Sequence, residues 1–509
     1  MVSVEKSHVS QPISHIYEVE RGSVYSHHEL EKNFSLFSTC AFQISLLASP
    51  LAIGAFLNTV IGVGGPPFLI YGFILAVTLD LVVCYCLAEL ASAYPHSSAQ
   101  VHWTYCLAPA KYKRILSYTS GVLSSAGWIF ACLSSTYVAT VLIIALSQLY
   151  HDSFTPRNYH YYLVYAGIFI TGFMLNAFAV HILPIMTKGL VGVINIGTLF
   201  IIIALLAKSP KQSASFVFKE VINDTGWSSN GLVFFLALLP SFASICLYDG
   251  AVHMTDEIVN PERNVPLVMV ISNTFSAVFA FVAVIVYMFC VTSPSDLTNP
   301  VGGQPFVQLI YDSLQIDALI IIAVVLLIIS FVGSSYLYYC STSRLVWSFA
   351  NSNALPFRDQ LGSIHSRFKS PVWALLFVTV VCLALGTIMF GSASILSAVL
   401  GSSIVCVNIS YLIPFACILY KTKLASSPLE RFDTKVYFTL GRLGMPLNAV
   451  SCVWICLIMV WLCFPLTYPV TTSNMNYACA VLGITFLLSA ALWVVHGRRN
   501  YKHNVESIH

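Results

Sequence analysis

Charge is what this sequence has least of. Charged residues are 9% of the 509-residue chain and hydrophobic residues are 57%. A soluble domain carries about a quarter charged residues. So few charges cannot cover a water-facing surface, and the apolar excess is expected to face lipid. Basic runs are missing too. With a net charge of +3 and no basic stripe, nucleic acid is excluded as a partner. The 15 cysteines show no metal-ligand spacing and sit mostly inside apolar runs, where they read as small buried hydrophobes. There is no HExxH, no GxSxG, no Walker loop and no repeated histidine cluster, which argues against a membrane enzyme and implies no cofactor. A channel filter, as a short re-entrant loop or charged ring, is absent as well. Residues 1–33 are polar and His-rich without an apolar core, so they are expected to be a disordered cytoplasmic tail rather than a signal peptide.

What the chain does have is long apolar stretches. A spanning helix needs about 20 mostly apolar residues. Twelve stretches qualify, at 36–61, 67–91, 116–148, 160–184, 187–207, 232–258, 265–292, 316–342, 371–390, 393–419, 444–466 and 475–496. The expected fold is an all-α membrane protein of twelve transmembrane helices. It occupies 34–496, with a second cytoplasmic tail at 497–509. With both termini in the cytoplasm, 20 of the 24 Lys and Arg residues fall inside and four fall outside. None lies within a span core. That is a strong positive-inside pattern. The sequon Asn223-Asp224-Thr225 lies in the longest outside loop and makes Asn223 the candidate glycosylation site.

Two acids lie deep in spans: Asp80 in the second and Asp249 in the sixth. A charge at the bilayer centre costs at least ~2.5 kcal/mol, so such a residue is neutral, paired or facing a polar cavity. No Lys or Arg lies at similar depth. A solute cation or a proton is therefore expected to serve as its counter-charge. Asp249 is followed by Gly250, which weakens a helix in mid-span. Asp80 reads either as a proton relay or as a structural bond to a neighbouring helix. The first span carries a matching break, Ser45-Leu46-Leu47-Ala48-Ser49-Pro50, where proline removes a backbone hydrogen bond. Spans one and six occupy equivalent places in two five-span halves. Interrupted helices at corresponding positions point to a transporter site.

The run Tyr248-Asp249-Gly250-Ala251-Val252-His253-Met254-Thr255-Asp256-Glu257, with Asn260-Pro261 and Val265-Pro266, resembles the sixth-span signature of the fungal amino acid/choline/GABA permeases. These belong to the amino acid–polyamine–organocation superfamily. Gly64-Gly65-Pro66-Pro67 is similar to their first external turn. Leu87-Ala88-Glu89 with Tyr94-Pro95, Gln100 and Trp103 resembles the segment after span two. Ser343-Arg344, Trp347-Ser348-Phe349-Ala350, Leu355-Pro356-Phe357 and Pro371-Val372 resemble the loop after span eight. The match covers about residues 34–420. It implies a five-plus-five inverted repeat with broken helices 1 and 6 and two extra C-terminal helices. It also implies proton-driven uptake of a small solute. The chain departs from the family at His96-Ser97-Ser98-Ala99-Gln100, where glycines are usual, and at Ser45 to Pro50, which replaces a glycine-rich run.

The candidate solute site therefore comprises Ser45 and Ser49 at the first break, Asp249 and Gly250 at the second, and the aromatics Trp128, Tyr248 and Tyr336. Rings suit a quaternary ammonium; hydrogen bonds to Asp249 suit a primary amine. Candidates for proton coupling or gating are Asp80, Glu89, His253, Glu257 and Arg344, with His253 either a proton carrier or a satisfied structural histidine. The expected partners are a small amine-bearing solute, protons and the lipid bilayer, with the plasma membrane as the expected location. Amino acids, GABA, choline, polyamines and thiamine all fit the site. A non-transporting nutrient sensor of the same fold is the remaining alternative, and the short tails favour transport.

Overall fold

A computed structural model describes residues 30–151, 153–391, 393–424, 432 and 436–503. Residues 1–29 of the expected tail at 1–33, and the last residues, 504–509, lie outside the described residues.

Among the described residues, eleven helices are long and apolar enough to cross a membrane. They are span 1 (Leu36–Gly62), span 2 (Gly65–Ala93), span 3 (Lys113–Tyr150), span 4 (Asn158–Phe178), span 5 (Val180–Lys208) and span 7 (Pro261–Phe289). Span 8 (Asp317–Asn351), span 9 (Val372–Phe390), span 10 (Ser394–Thr422), span 11 (Gly441–Leu462) and span 12 (Ala478–Asn500) complete the set. The sixth stretch, span 6 (230–257), does not make one long helix. Its apolar part, Asn230–Ala243, is short, and after an irregular stretch the chain resumes as a 3-10 turn, Val252–Glu257. The twelve-stretch count therefore stands, with the sixth interrupted.

Span 8 corrects one boundary. Its helix runs on to Asn351, so Ser343, Arg344 and Trp347 sit on a helix rather than in a loop. From 334 to 351 the chain has no glycine or proline to stop the helix.

The break in span 1 follows from its local sequence. Ala48 adopts a left-handed conformation at φ 43°, and its N–H closes the first segment on the Ile44 carbonyl. Pro50 sits in the first turn of the next segment, where its missing N–H costs nothing. In the sixth stretch the chain turns at Leu247, φ 70°, just before Tyr248-Asp249-Gly250.

Packing repeats with an offset of five spans. Span 2 packs on span 7 and span 3 on span 8, each pair being its own counterpart. Span 1 packs on span 7, and span 6 correspondingly packs on span 2. Span 8 packs on span 5, and span 3 on span 10. Five is odd, so the second half starts on the opposite face and the repeat is inverted. Span 11 packs on spans 2 and 10, and span 12 on spans 3 and 10. Large apolar side chains such as Ile185, Ile196, Val453 and Leu487 are exposed on the periphery, as lipid contact requires. Span 12 ends at Asn500, yet Tyr501 and His503 are buried against the helix bundle.

Candidate functional site

The two breaks meet at a side chain from span 1. Gln43 accepts the Ala251 N–H on Oε1 at 2.9 Å and donates from Nε2 to the Leu247 carbonyl at 3.3 Å. Its amide thus replaces backbone bonds that unwinding took away. Glycine is required at 250 because a Cβ there would lie 2.9 Å from both Gln43 Oε1 and Leu46 Cδ1. The Gly250 carbonyl accepts from Ser341, and the Ser45 carbonyl accepts from Ser334 at 2.6 Å. The hydroxyls of Ser45, Ser49 and Tyr248 are buried without a hydrogen-bond partner. Buried unpaired polar groups are costly, and these three sit at the breaks.

Asp249 is fully buried and is not a lone carboxylate. Oδ2 accepts from Gln100 Nε2, from Trp128 Nε1 at 3.4 Å and from His253 Nε2 at 3.0 Å. Oδ1 accepts from the Tyr411 hydroxyl at 2.5 Å. The expectation that only a solute or proton would meet this carboxylate is thereby revised. A histidine one turn away contacts this carboxylate, which counting Lys and Arg could not reveal. Gln100 is fixed in this orientation because its Oε1 accepts from Ser124 at 3.3 Å.

The Ser97 carbonyl orients the His253 ring. His253 Nδ1 lies 2.8 Å from the Ser97 carbonyl, which can only accept, so Nδ1 carries a hydrogen. Nε2 faces the Asp249 carboxyl at 3.0 Å, which places the two side chains to share a proton. Trp128 packs edge-on to the His253 ring at 5.0 Å.

Asp80 lies in a second buried station. Oδ1 accepts from Trp454 Nε1 at 2.8 Å. Its Oδ2 neighbours the Tyr248 hydroxyl, yet neither atom completes a well-formed hydrogen bond. Tyr248 in turn faces Tyr411, with ring centroids 5.9 Å apart. Two tyrosines therefore lie between the two buried carboxylates.

Toward the face that bears the termini, Arg344 Nε donates to Glu257 Oε1 at 2.8 Å. Both are buried, and the pair joins span 6 to span 8. Beside it, Phe34 exchanges backbone bonds with Glu257 and Val259, tying span 1 to span 6. Glu89 is not part of this pair. Its Oε1 accepts from the Leu440 N–H at 2.7 Å and the Thr439 hydroxyl at 3.0 Å, ahead of span 11.

Tyr336 does not join the cluster either. Its hydroxyl bonds Thr171 on span 4 at 2.7 Å, and it is Tyr338 that packs 6.0 Å from Trp128. Asn223 lies in a two-residue strand paired with Val63–Gly64. Its side-chain N–H groups are engaged by the Trp227 carbonyl and Asn230, and Thr225 donates to its Oδ1. Sequence reasoning missed Gln43, Tyr411 and Trp454 as site residues. Gln43 had a signal, an amide inside an apolar run. Tyr411 and Trp454 had none, being two aromatics among many.

Two broken spans meeting at a buried carboxylate, in an inverted-repeat bundle, define a transporter for small solutes and not an enzyme. The profile of the amino acid permease family matches residues 34–486, and the chain belongs to that family. It is 27% identical over 481 residues to the choline transporter of Saccharomyces cerevisiae, covering 94% of this chain and 84% of that protein. It is 26% identical to amino-acid permease 2 of Neurospora crassa, over 92% of this chain and 86% of the permease. It is 27% identical to the swainsonine transporter of Arthroderma benhamiae, over 94% and 93% respectively.

Proposed function

We propose that this protein imports a small amine-bearing solute across the plasma membrane, driven by protons, with both termini in the cytoplasm. The observation that carries the reading is the His253–Asp249 pair: one carboxylate, a histidine placed to share a proton with it, and broken backbone on either side. A solute ammonium and the shared proton compete for Asp249. When the solute arrives, the displaced proton passes by Tyr411 and Tyr248 to Asp80, whose Oδ2 has room for it. The loaded carrier then holds both solute and proton, which couples their movement. Ser45 and Ser49 offer their unpaired hydroxyls to the solute's polar groups, and Trp128, Tyr248 and Tyr411 offer ring faces to its cationic end.

The relatives include proteins named for choline, amino acids and swainsonine, which supports a small solute as cargo. The test is uptake of labelled amino acid, GABA, choline, polyamine and thiamine into cells lacking their own permeases, at an acid and a near-neutral external pH. At least one amine should accumulate faster at acid pH, and Asp249→Asn should abolish that uptake with the protein still at the membrane. Uptake indifferent to external pH, or retained by Asp249→Asn, would remove the mechanism.

A further inference from the structure

A cluster outside the solute site is unused by the mechanism. His96 and His102 lie on the connection between spans 2 and 3, and His503 follows span 12. One ring nitrogen from each comes within 4.8 Å of the others. The rings of His96 and His102 stack at 4.5 Å and 12°. His102 Nδ1 and His503 Nε2 are 2.7 Å apart. His503 Nδ1 lies 2.9 Å from the Ser352 hydroxyl, which fixes the ring from behind. His96 Nδ1 accepts from the Ser98 N–H at 3.0 Å, which leaves Nε2 as its ligand atom.

We infer that His96, His102 and His503 form a binding site for a divalent transition metal of the zinc class, with water in the fourth position. Three neutral imidazoles suit zinc, copper or nickel and suit magnesium or calcium poorly. The Asp256 carboxylate acts on His96 from nearby, and its sign favours a cation. Two imidazole nitrogens on a tetrahedral metal at ~2.0–2.1 Å stand about 3.3 Å apart. The metal replaces the His102–His503 hydrogen bond after a side-chain shift of well under 1 Å each way. Ser352 behind His503 supplies the outer partner that oriented ligands need.

The consequence is mechanical. The metal clips the end of the chain to the 96–107 segment. That segment supplies Gln100 to Asp249 and the Ser97 carbonyl to His253. Already docked there is Tyr501, whose carbonyl accepts from Arg114 at 2.8 Å and whose hydroxyl meets Ser117 at 2.9 Å. Metal occupancy therefore stiffens the support of the solute site from the face that bears the termini.

The experiment is a Co²⁺ titration of the purified full-length protein, carried on an affinity tag without histidine. Wild type should bind one Co²⁺ per chain with the intense visible bands of a tetrahedral site, displaced by Zn²⁺. His503→Ala lies beyond the last span and should weaken binding at least about a hundredfold, above the roughly 10–100-fold cost of losing an outer partner. His96→Ala is the second variant should the first misfold. No tetrahedral bands in wild type would overturn the proposal. Bands kept by both folded variants would do the same, placing the metal elsewhere, such as His8, His15, His27 and His28 of the amino-terminal stretch. The readout needs no transported solute, so it succeeds or fails independently of the proposed transport.

Discussion

The Glu257–Arg344 pair offers a measurable lock. Replacing Glu257 by Gln leaves the Arg344 guanidinium buried beside a neutral amide. The contact is 2.8 Å, with side-chain exposures of 3% for Glu257 and 0% for Arg344. Charge centres about 4 Å apart interact by about 4 kcal/mol at an effective dielectric near 20. Breaking a buried pair by removing one partner costs about 3–5 kcal/mol, which agrees. If the pair holds spans 6 and 8 together, that loss is drawn from the free energy of opening between them. At ~1.4 kcal/mol per decade, opening becomes roughly two to four powers of ten more frequent. Cys340 reports it, because it is fully buried one turn before Arg344, with Sγ 3.6 Å from Met254 Sδ on span 6. Maleimide labelling of Cys340, in a background with the other cysteines replaced, should accelerate accordingly in Glu257→Gln. The double replacement Glu257→Met with Arg344→Met should restore most of the protection, since a buried pair exchanged for apolar residues is often neutral. Labelling of Glu257→Gln within threefold of wild type would refute the lock, and so would a double variant no better than the single.

Two further outcomes follow from the broken spans. Gly250→Ala drives a methyl into Gln43 and Leu46 and should cost about 1–3 kcal/mol, read as a lower thermal unfolding midpoint in detergent. Gly192→Ala, which meets nothing within 4 Å, should leave that midpoint unlowered. Gln43→Ala strands the Ala251 N–H and the Leu247 carbonyl, at about 1–3 kcal/mol each, and should abolish uptake while surface expression persists.

Much of the fold was legible because bilayer physics writes itself in long apolar stretches. Spans and breaks followed from hydropathy, from Pro50 and from Gly250. Where the spans end was less legible. Span 8 continues past its apolar stretch because polar but helix-compatible residues carry it to Asn351, so Arg344 became a buried partner instead of a loop charge. Asp249 and Trp128, both singled out from sequence, lie within hydrogen-bonding reach of each other. Tyr336 does not join them: helical phase turns it toward span 4, and Tyr338 takes the inner position. The histidine cluster joins residues some 400 positions apart in sequence, so no local spacing could announce it.

The most direct test of the account is solute-driven proton movement into proteoliposomes carrying an interior pH dye, using whichever amine the uptake panel selects. The account predicts that wild type acidifies the interior when solute is added outside, and that Asp249→Asn and His253→Gln each abolish the signal. Solute entering wild type with no accompanying proton, or a His253→Gln carrier that still acidifies the interior, would contradict it.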